Sequence, residues 1–362
     1  LKKYYQLFPS LIPVKGYRRS LLLDPSRVNY YFIPNDLYDI ISEDFIDVNK
    51  LYNEYPDDIR VIDEYIEFLT KNELIFEVSS KEESLFPKLS TNWETPFQIT
   101  NMVIDIGNYE IQMDKFSFEI GILGVQALEI RVFDLKYLQY TGEFISLLSE
   151  ENRVNRLKSM QINISVNNQS LLSLHKKIID TLAKSSIISA INIYTLNKFQ
   201  KFDSEKINVY EKKVLNEKDC GVVDNNISFV TRNLIFESMT YNSCLNCKLS
   251  IDSNGDIKNC PSMSKSFGKI NDKNLHEITQ APDFKKYWNI TKDSIEVCKD
   301  CEFRYICTDC RVYTERTNID ENNFDFSKPL KCSYDPYTGN LNSWTEDETK
   351  KEIIKFYNLT NL

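Results

Sequence analysis

At 362 residues, 42% hydrophobic and 27% charged, the chain has the make-up of a globular protein of about two or three domains, and 21 Tyr with 21 Phe exclude a disordered tail. Its net charge of −9, with Lys and Arg scattered throughout, argues against a nucleic-acid face, and no run of about 18 apolar residues exists to span a membrane. Only His175 and His276 are present, so neither a histidine-rich metal site nor a Ser-His-Asp relay has material.

The opening Leu1-Lys2-Lys3-Tyr4-Tyr5-Gln6 lacks the apolar run and small-residue cleavage site of a secretory signal, which predicts a cytoplasmic chain. Residues 1–80 read as a small α/β unit. Arg18–Leu23 and Val28–Ile33 are β-rich runs joined by the turn Asp24-Pro25-Ser26-Arg27. Pro34-Asn35-Asp36 opens a helix carrying Leu37, Ile40 and Ile41, a second short helix carries Val48, Leu51 and Tyr52, and Pro56-Asp57-Asp58 starts a third. That third helix has two apolar stripes: Ile59, Ile62, Ile66 and Leu69, and Val61, Tyr65 and Phe68. One stripe suffices to close a small core, so the second either packs on the next domain or forms a groove for a peptide.

Residues 81–96, with Lys81-Glu82-Glu83-Ser84 and Pro87, read as a polar, mobile linker. From 97 to 240, β-rich runs (Gln98–Ile104, Leu128–Phe133, Met160–Val166, Ile188–Tyr194, Ile207–Tyr210, Leu234–Glu237) alternate with amphipathic helices such as Leu135–Leu148 and Leu171–Lys184. Alternation of this kind predicts an α/β fold with a parallel sheet or partial barrel. Residues 241–345 are Cys-rich with a hairpin turn at Gly255-Asp256, and Glu346–Tyr357 reads as a terminal helix within 346–362. Gly121-Ile122-Leu123-Gly124 is a helix-packing or turn feature, because no Lys-Ser/Thr follows to make a phosphate loop. His276 reads as a structural residue, and Asp57-Asp58 and Asp63-Glu64 as helix-start and solvated-face charges.

Cysteine carries the chemistry. There are nine, none before Cys220, and eight lie from Cys244 to Cys332. With an odd count and no export signal, metal or cluster ligation is favoured over disulfides. The spacings are Cys244-x2-Cys247, then Cys260, then Cys298-x2-Cys301-x5-Cys307-x2-Cys310, then Cys332. Eight thiolates make two tetrahedral sets, suited to two zinc ions or two cubane iron–sulfur clusters. Cys220 is left unmatched, a buried or free thiol rather than a nucleophile.

The run Cys244-x10-Gly255-x4-Cys260, with Cys298, Cys301, Cys307, Cys310 and Cys332 behind it, resembles the SPASM domain, the auxiliary-cluster module of many radical S-adenosylmethionine (SAM) peptide-modifying enzymes. The gap before Cys310 is two residues where the common pattern has three. The resemblance implies two interleaved 4Fe–4S clusters: Cys244, Cys247, Cys260 and Cys310 on one, and Cys298, Cys301, Cys307 and Cys332 on the other. Spacing alone leaves a sequential grouping of Cys298, Cys301, Cys307 and Cys310 open.

A radical SAM enzyme also carries a CxxxCxxC loop after its first barrel strand. The equivalent stretch here, Asp105-Ile106-Gly107-Asn108-Tyr109-Glu110, has no cysteine, and the Gly-Gly-Glu turn expected near Phe133-Asp134-Leu135-Lys136 is absent. The middle region therefore resembles a degenerate radical SAM barrel, a partial (β/α)6-type fold that binds no SAM. Residues 1–80 resemble the PqqD-like, winged-helix recognition element of peptide-maturation systems, which implies leader-peptide binding at Val28, Tyr30 and Phe32 on the strand edge and at Tyr65 and Phe68 on the third helix.

The whole order, with Tyr5-Gln6-Leu7-Phe8, Ile12-Pro13-Val14-Lys15-Gly16 and Phe32-Ile33-Pro34-Asn35-Asp36-Leu37-Tyr38, is similar to the SPASM-domain peptide maturase of grasp-with-spasm systems. That resemblance implies a precursor leader peptide and an ATP-grasp peptide ligase as partners, with homodimerisation left open. Two other readings stand beside it: a leader-binding scaffold with structural zinc sites, and an active SAM enzyme with an unfamiliar cluster loop that uses Cys220 or a rearranged ligand set.

Overall fold

The computed structural model describes residues 4–359 apart from 44, 80, 81, 83, 84, 151–155, 167, 168, 197–201, 203, 215 and 224–229; Leu1-Lys2-Lys3 and most of the Lys81-Glu82-Glu83-Ser84 run lie outside the described residues. Two units are built from alternating stretches of sequence. The first takes Leu1–Trp93, Val223–Ser243 and Ile290–Tyr357; the second takes Glu94–Val222, Cys244–Asn289 and Asn358–Leu362.

The first unit opens with β1 (Tyr4–Leu7), β2 (Ile12–Val14), β3 (Ser20–Asp24) and β4 (Asn29–Ile33). Then come α1 (Asn35–Ile41), β5 (Ile46–Asp47), α2 (Val48–Glu54), α3 (Ile59–Lys71) and β6 (Ile75–Val78). β1 pairs antiparallel with β5 and β6, while a separate antiparallel sheet runs β2-β3-β4. β3 is covered on both faces. Leu22 joins Leu37, Ile41 and Leu69 in one core; Leu21 and Leu23 point the opposite way, toward Val14, Ile235, Phe236 and Phe303. A strand buried on both sides needs an unbroken apolar run, and Leu21-Leu22-Leu23 supplies it.

Asp47 caps α2, accepting from the backbone N–H groups of Asn49 and Lys50 at 3.0 and 3.1 Å. In α3, Ile62 and Leu69 are buried and Ile59 and Val61 are exposed. The second stripe is split. Phe68 meets the Tyr31 ring of β4 edge-on at 6.1 Å, whereas Val61 and Tyr65 line a cavity of about 500 Å³ with α1 and α2. Further along the chain, Phe86 packs against Phe76, and its carbonyl accepts from Gln6 at 3.0 Å.

The second unit is a seven-stranded sheet of β7 (Asn101–Asp105), β8 (Ala127–Val132), β9 (Ser159–Val166), β10 (Ile188–Thr195), β11 (Ile207–Glu211), β12 (Lys248–Ile251) and β13 (Ile257–Lys258). Its order is β11-β10-β9-β8-β7-β12-β13, parallel throughout except for the β12–β13 hairpin. α4 (Met113–Leu123), α5 (Leu138–Glu150) and α6 (Gln169–Ala183) form the crossovers between β7 and β10. The expected mixed α/β architecture with a large parallel sheet is therefore present. β7 begins later than the apolar run suggests, because Ile99 and Thr100 spend their N–H groups on Leu123 and Cys247.

One assignment is overturned. Leu234–Glu237, expected as a strand, is the middle of a helix over Arg232–Thr240 in the first unit. The Thr231 hydroxyl accepts from the Leu234 N–H, and Ile235, Phe236 and Met239 pack on the Leu21–Leu23 face. Three apolar residues in a short run cannot distinguish strand from helix until a cap and a partner surface decide it. Among the described residues, no helix is long and apolar enough to cross a membrane.

Candidate metal centre

Along the parallel sheet one face is aliphatic: Ile104, Ile130, Ile162, Ile164, Ile191 and Ile193 are all fully buried. By the period of two, the opposite face carries Asp105, Arg131, Asn163, Asn192 and Asn208, which stand in register across β7 to β11. Asn208 donates to Asn192 (3.1 Å), Asn192 to Asn163 (2.9 Å) and Asn163 to the Glu129 carboxylate (2.8 Å). At the other end, buried Asp105 takes two hydrogen bonds from Arg131, at 2.5 and 2.8 Å. Burial lifts the Asp105 carboxyl to about 6 even with the guanidinium against it; burial also opposes the Arg131 charge, and Asp105 more than offsets that. The loop after β7, where a SAM-binding cluster would need thiols, is packed tight: a Cβ on Gly107 would fall 1.8 Å from the Ser253 carbonyl oxygen. This polar row went unnoticed in the sequence, although β9 shows its signal, with Ser159, Gln161, Asn163 and Ser165 alternating with apolar residues.

The first group of cysteines is organised by the β12–β13 hairpin. Cys244 and Cys247 precede β12, and Cys260 follows β13. Asp252 shapes the turn, accepting from Asn254 (2.9 Å) and Asp256 (3.0 Å), and Gly255 takes a left-handed φ of 78° with the Tyr109 ring directly below. Cys247 itself sits at φ 47°, and its carbonyl accepts from Thr100. Asn259 bridges the two flanks by donating to Leu245 (3.2 Å) and Lys248 (2.6 Å). The Lys248 ammonium lies 3.7 Å from Cys244 Sγ. Burial works against its charge, but Cys244, Cys260, Cys220 and Glu129 outweigh that and hold it above the ordinary lysine value. Cys220, unmatched in the sequence, thus belongs to the surroundings of Cys244.

The second group lies within the first unit. Cys298 and Cys301 flank a single 3-10 turn entered through Val297 at φ 65°. Cys301 and Cys332 pack on the core that contains Leu21, Leu23 and Phe303. Buried Lys292 donates to the Cys307 carbonyl. Burial pushes the Cys298 thiol far up, Lys292 pulls it back, and Asp309, Cys332 and Cys307 push it further. Cys307 is raised in the same way, and burial raises Cys301 well above its ordinary value despite the Phe303 N–H. Cys298, Cys301, Cys307 and Cys332 therefore act on one another. Asp309 is fixed by Arg311 (2.9 Å) and Asn242 (2.7 Å). Cys310 belongs to the first unit, whereas Cys244, Cys247 and Cys260 belong to the second.

None of the nine cysteines is disulfide-bonded. Among the described residues, no three Cys, His, Asp or Glu side chains already form a cage around a single ion. Residues 243–302 match the SPASM iron–sulfur cluster-binding domain. The match takes in Cys244, Cys247, Cys260, Cys298 and Cys301. No curated protein matches the chain. The SPASM segment is thus an iron–sulfur module, and its donors suit that cofactor: soft thiols, partly or wholly buried, with a lysine beside each group.

The residues expected to bind a leader peptide divide between two surfaces. β4 is the outer strand of its sheet, and Val28 in the turn before it is exposed. Tyr30 and Phe32 face Phe303, at 6.2 and 5.8 Å between ring centroids, and the Arg19 guanidinium covers the Phe32 ring at 3.6 Å. On α3, Phe68 lies against Tyr31, while Tyr65 lines the cavity with α1 and α2.

Proposed function

We propose that the chain is a peptide-maturation protein of ribosomally made precursors. Its N-terminal β4 edge and α3 hold a precursor leader, and its SPASM segment carries two 4Fe–4S clusters. One is held by Cys244, Cys247, Cys260 and Cys310, the other by Cys298, Cys301, Cys307 and Cys332. The middle sheet is a degenerate radical SAM barrel, and an ATP-grasp ligase is the partner. When bound, such clusters supply one-electron transfer tuned by charge and hydrogen bonds at sulfur.

The observation that carries this reading is the mutual placement of Cys298, Cys301, Cys307 and Cys332, with Lys292 beside Cys298 and Cys307, in a segment that overlaps the SPASM match. The loss of a SAM-cleaving site is supported by a loop after β7 that holds no thiol and by an Asp105 already bound to Arg131. An outer β4 strand next to an aromatic helix face suits strand addition by a peptide.

Anaerobic purification with iron, sulfide and zinc analysis tests the cluster half: about eight iron and eight sulfide per chain are expected for two cubanes, and stoichiometric zinc without sulfide overturns it. Incubation with SAM and dithionite tests the barrel half, where 5′-deoxyadenosine would show a working SAM site. Co-purification with the neighbouring precursor, with and without its leader, tests recognition.

A further inference from the structure

Lys248 and Lys258 stand on the two strands of one hairpin but meet different partners. Lys258 pairs with Asp252 at 2.7 Å. Lys248 has no carboxylate within ion-pair distance among the described residues, and its ammonium is spent on Cys244 Sγ at 3.7 Å. An enclosed ammonium without a carboxylate is expensive to retain unless it answers another negative charge. The backbone leaves it little freedom. Lys248 is paired in β12 with Asn101 of β7, and its carbonyl is held by Asn259 at 2.6 Å, so the side chain leaves the sheet at a fixed point beside the thiols. No other lysine on the hairpin reaches a sulfur among the described residues.

From this geometry we infer that Lys248 is a positioning residue that raises the reduction potential of the cluster held by Cys244, through an N–H···S hydrogen bond and its positive charge. This rests on the iron–sulfur reading above. A cubane bound by four thiolates carries net negative charge that grows by one on reduction, so a fixed cation and donor at a ligand sulfur favour the reduced state.

The test is an EPR-monitored redox titration of the full chain, purified anaerobically, for wild type and for Lys248→Met, Lys248→Arg and Lys258→Met. In Lys248→Met one of the two reduction steps is expected to move to lower potential by at least tenfold in the oxidised-to-reduced ratio, or 59 mV for one electron, with the other step unmoved. Lys248→Arg, which keeps charge and donors, restores the wild-type value to within threefold. Lys258→Met removes the same charge from the same hairpin and leaves both steps in place. Equal potentials in wild type and Lys248→Met at equal iron and sulfide content overturn the inference, as does an equal shift in Lys258→Met. If Lys248→Met holds no iron, Lys248→Gln is read in its place by the same criterion. Wild-type protein that carries zinc and no sulfide removes the cluster reading itself, an outcome that metal analysis separates from an unshifted potential.

Discussion

The side-chain amide of Asn259 donates to the carbonyl oxygen of Lys248 at 2.6 Å and to that of Leu245 at 3.2 Å, joining the residue before Cys260 to both flanks of Cys247. One side chain thus sets the distance between the two arms of the hairpin site. Asn259→Ala leaves two carbonyls without that donor, and a loss of about 1–3 kcal/mol is expected for such a group. The measurement is iron per chain after anaerobic purification. On the proposed two-cluster arrangement, Asn259→Ala should lose the cluster at Cys244 preferentially, leaving about half the wild-type iron, and full iron content would show that the bridge is dispensable.

The Asp105–Arg131 pair occupies the carboxyl end of β7. Breaking one partner of a buried pair costs about 3–5 kcal/mol, whereas replacing both with apolar groups is close to neutral. Arg131→Met should therefore lower the urea midpoint strongly, and Asp105→Leu with Arg131→Met should recover most of the loss. Equal loss in the single and double variants would mean that the pair serves a ligand rather than the sheet.

Much of this architecture was legible because its periodicities are strong. The starts of β8, β9, β10 and β11 fall within a residue of the apolar runs, and α1 and α3 begin at their Pro and Asp signals. Leu234–Glu237 was illegible because its helix depends on Thr231 and on a core contributed by Leu21 and Leu23, more than two hundred residues away. α4 was passed over because it is apolar nearly all round, with Phe116, Ile120 and Leu123 buried and Phe118 and Ile122 exposed, and shows no clean stripe. The thiols were countable from spacing, but the lysines were not. Lys248 and Lys292 look like any other lysines until the fold sets them against Cys244 and Cys307.

Burial has a second consequence for the thiols once metal is removed. Cys298, Cys301 and Cys307 all have thiol pKa values above the ordinary one, chiefly through desolvation. A raised thiol pKa means less thiolate at a given pH, so cluster assembly must release protons and should speed up as pH rises. In chelated, reduced protein the iodoacetamide labelling of these three sites should be at least tenfold slower at pH 7 than that of a small-molecule thiol. The rate should still be climbing above about pH 9, where an ordinary cysteine levels off. Peptide mass spectrometry reads each site, and labelling that plateaus below pH 8 would contradict the expectation.

Removal of the cofactor should also be felt in β3 and β4 of the first unit. Cys301 and Cys332 pack against the same core as Leu21 and Leu23 of β3, and β3 is the inner partner of β4. Glu302, one residue beyond Cys301, is buried and accepts from Arg19 (2.8 Å) and from the Tyr334 hydroxyl (2.6 Å). Phe303 receives the rings of Tyr30 and Phe32. A cluster at this site therefore braces the strand proposed to receive a leader, and binding free energy at the cysteines appears as stability of β3 and β4. Hydrogen exchange should show the amides of Leu21 and Leu23 losing protection by tenfold or more on chelation, about 1.4 kcal/mol per factor of ten. Ile162 and Ile164 in β9, which belong to the other unit, should change far less. Equal loss in β3 and β9 would point to global unfolding instead. Unchanged β3 would mean that the strand holds its place through Phe303 and Glu302 alone.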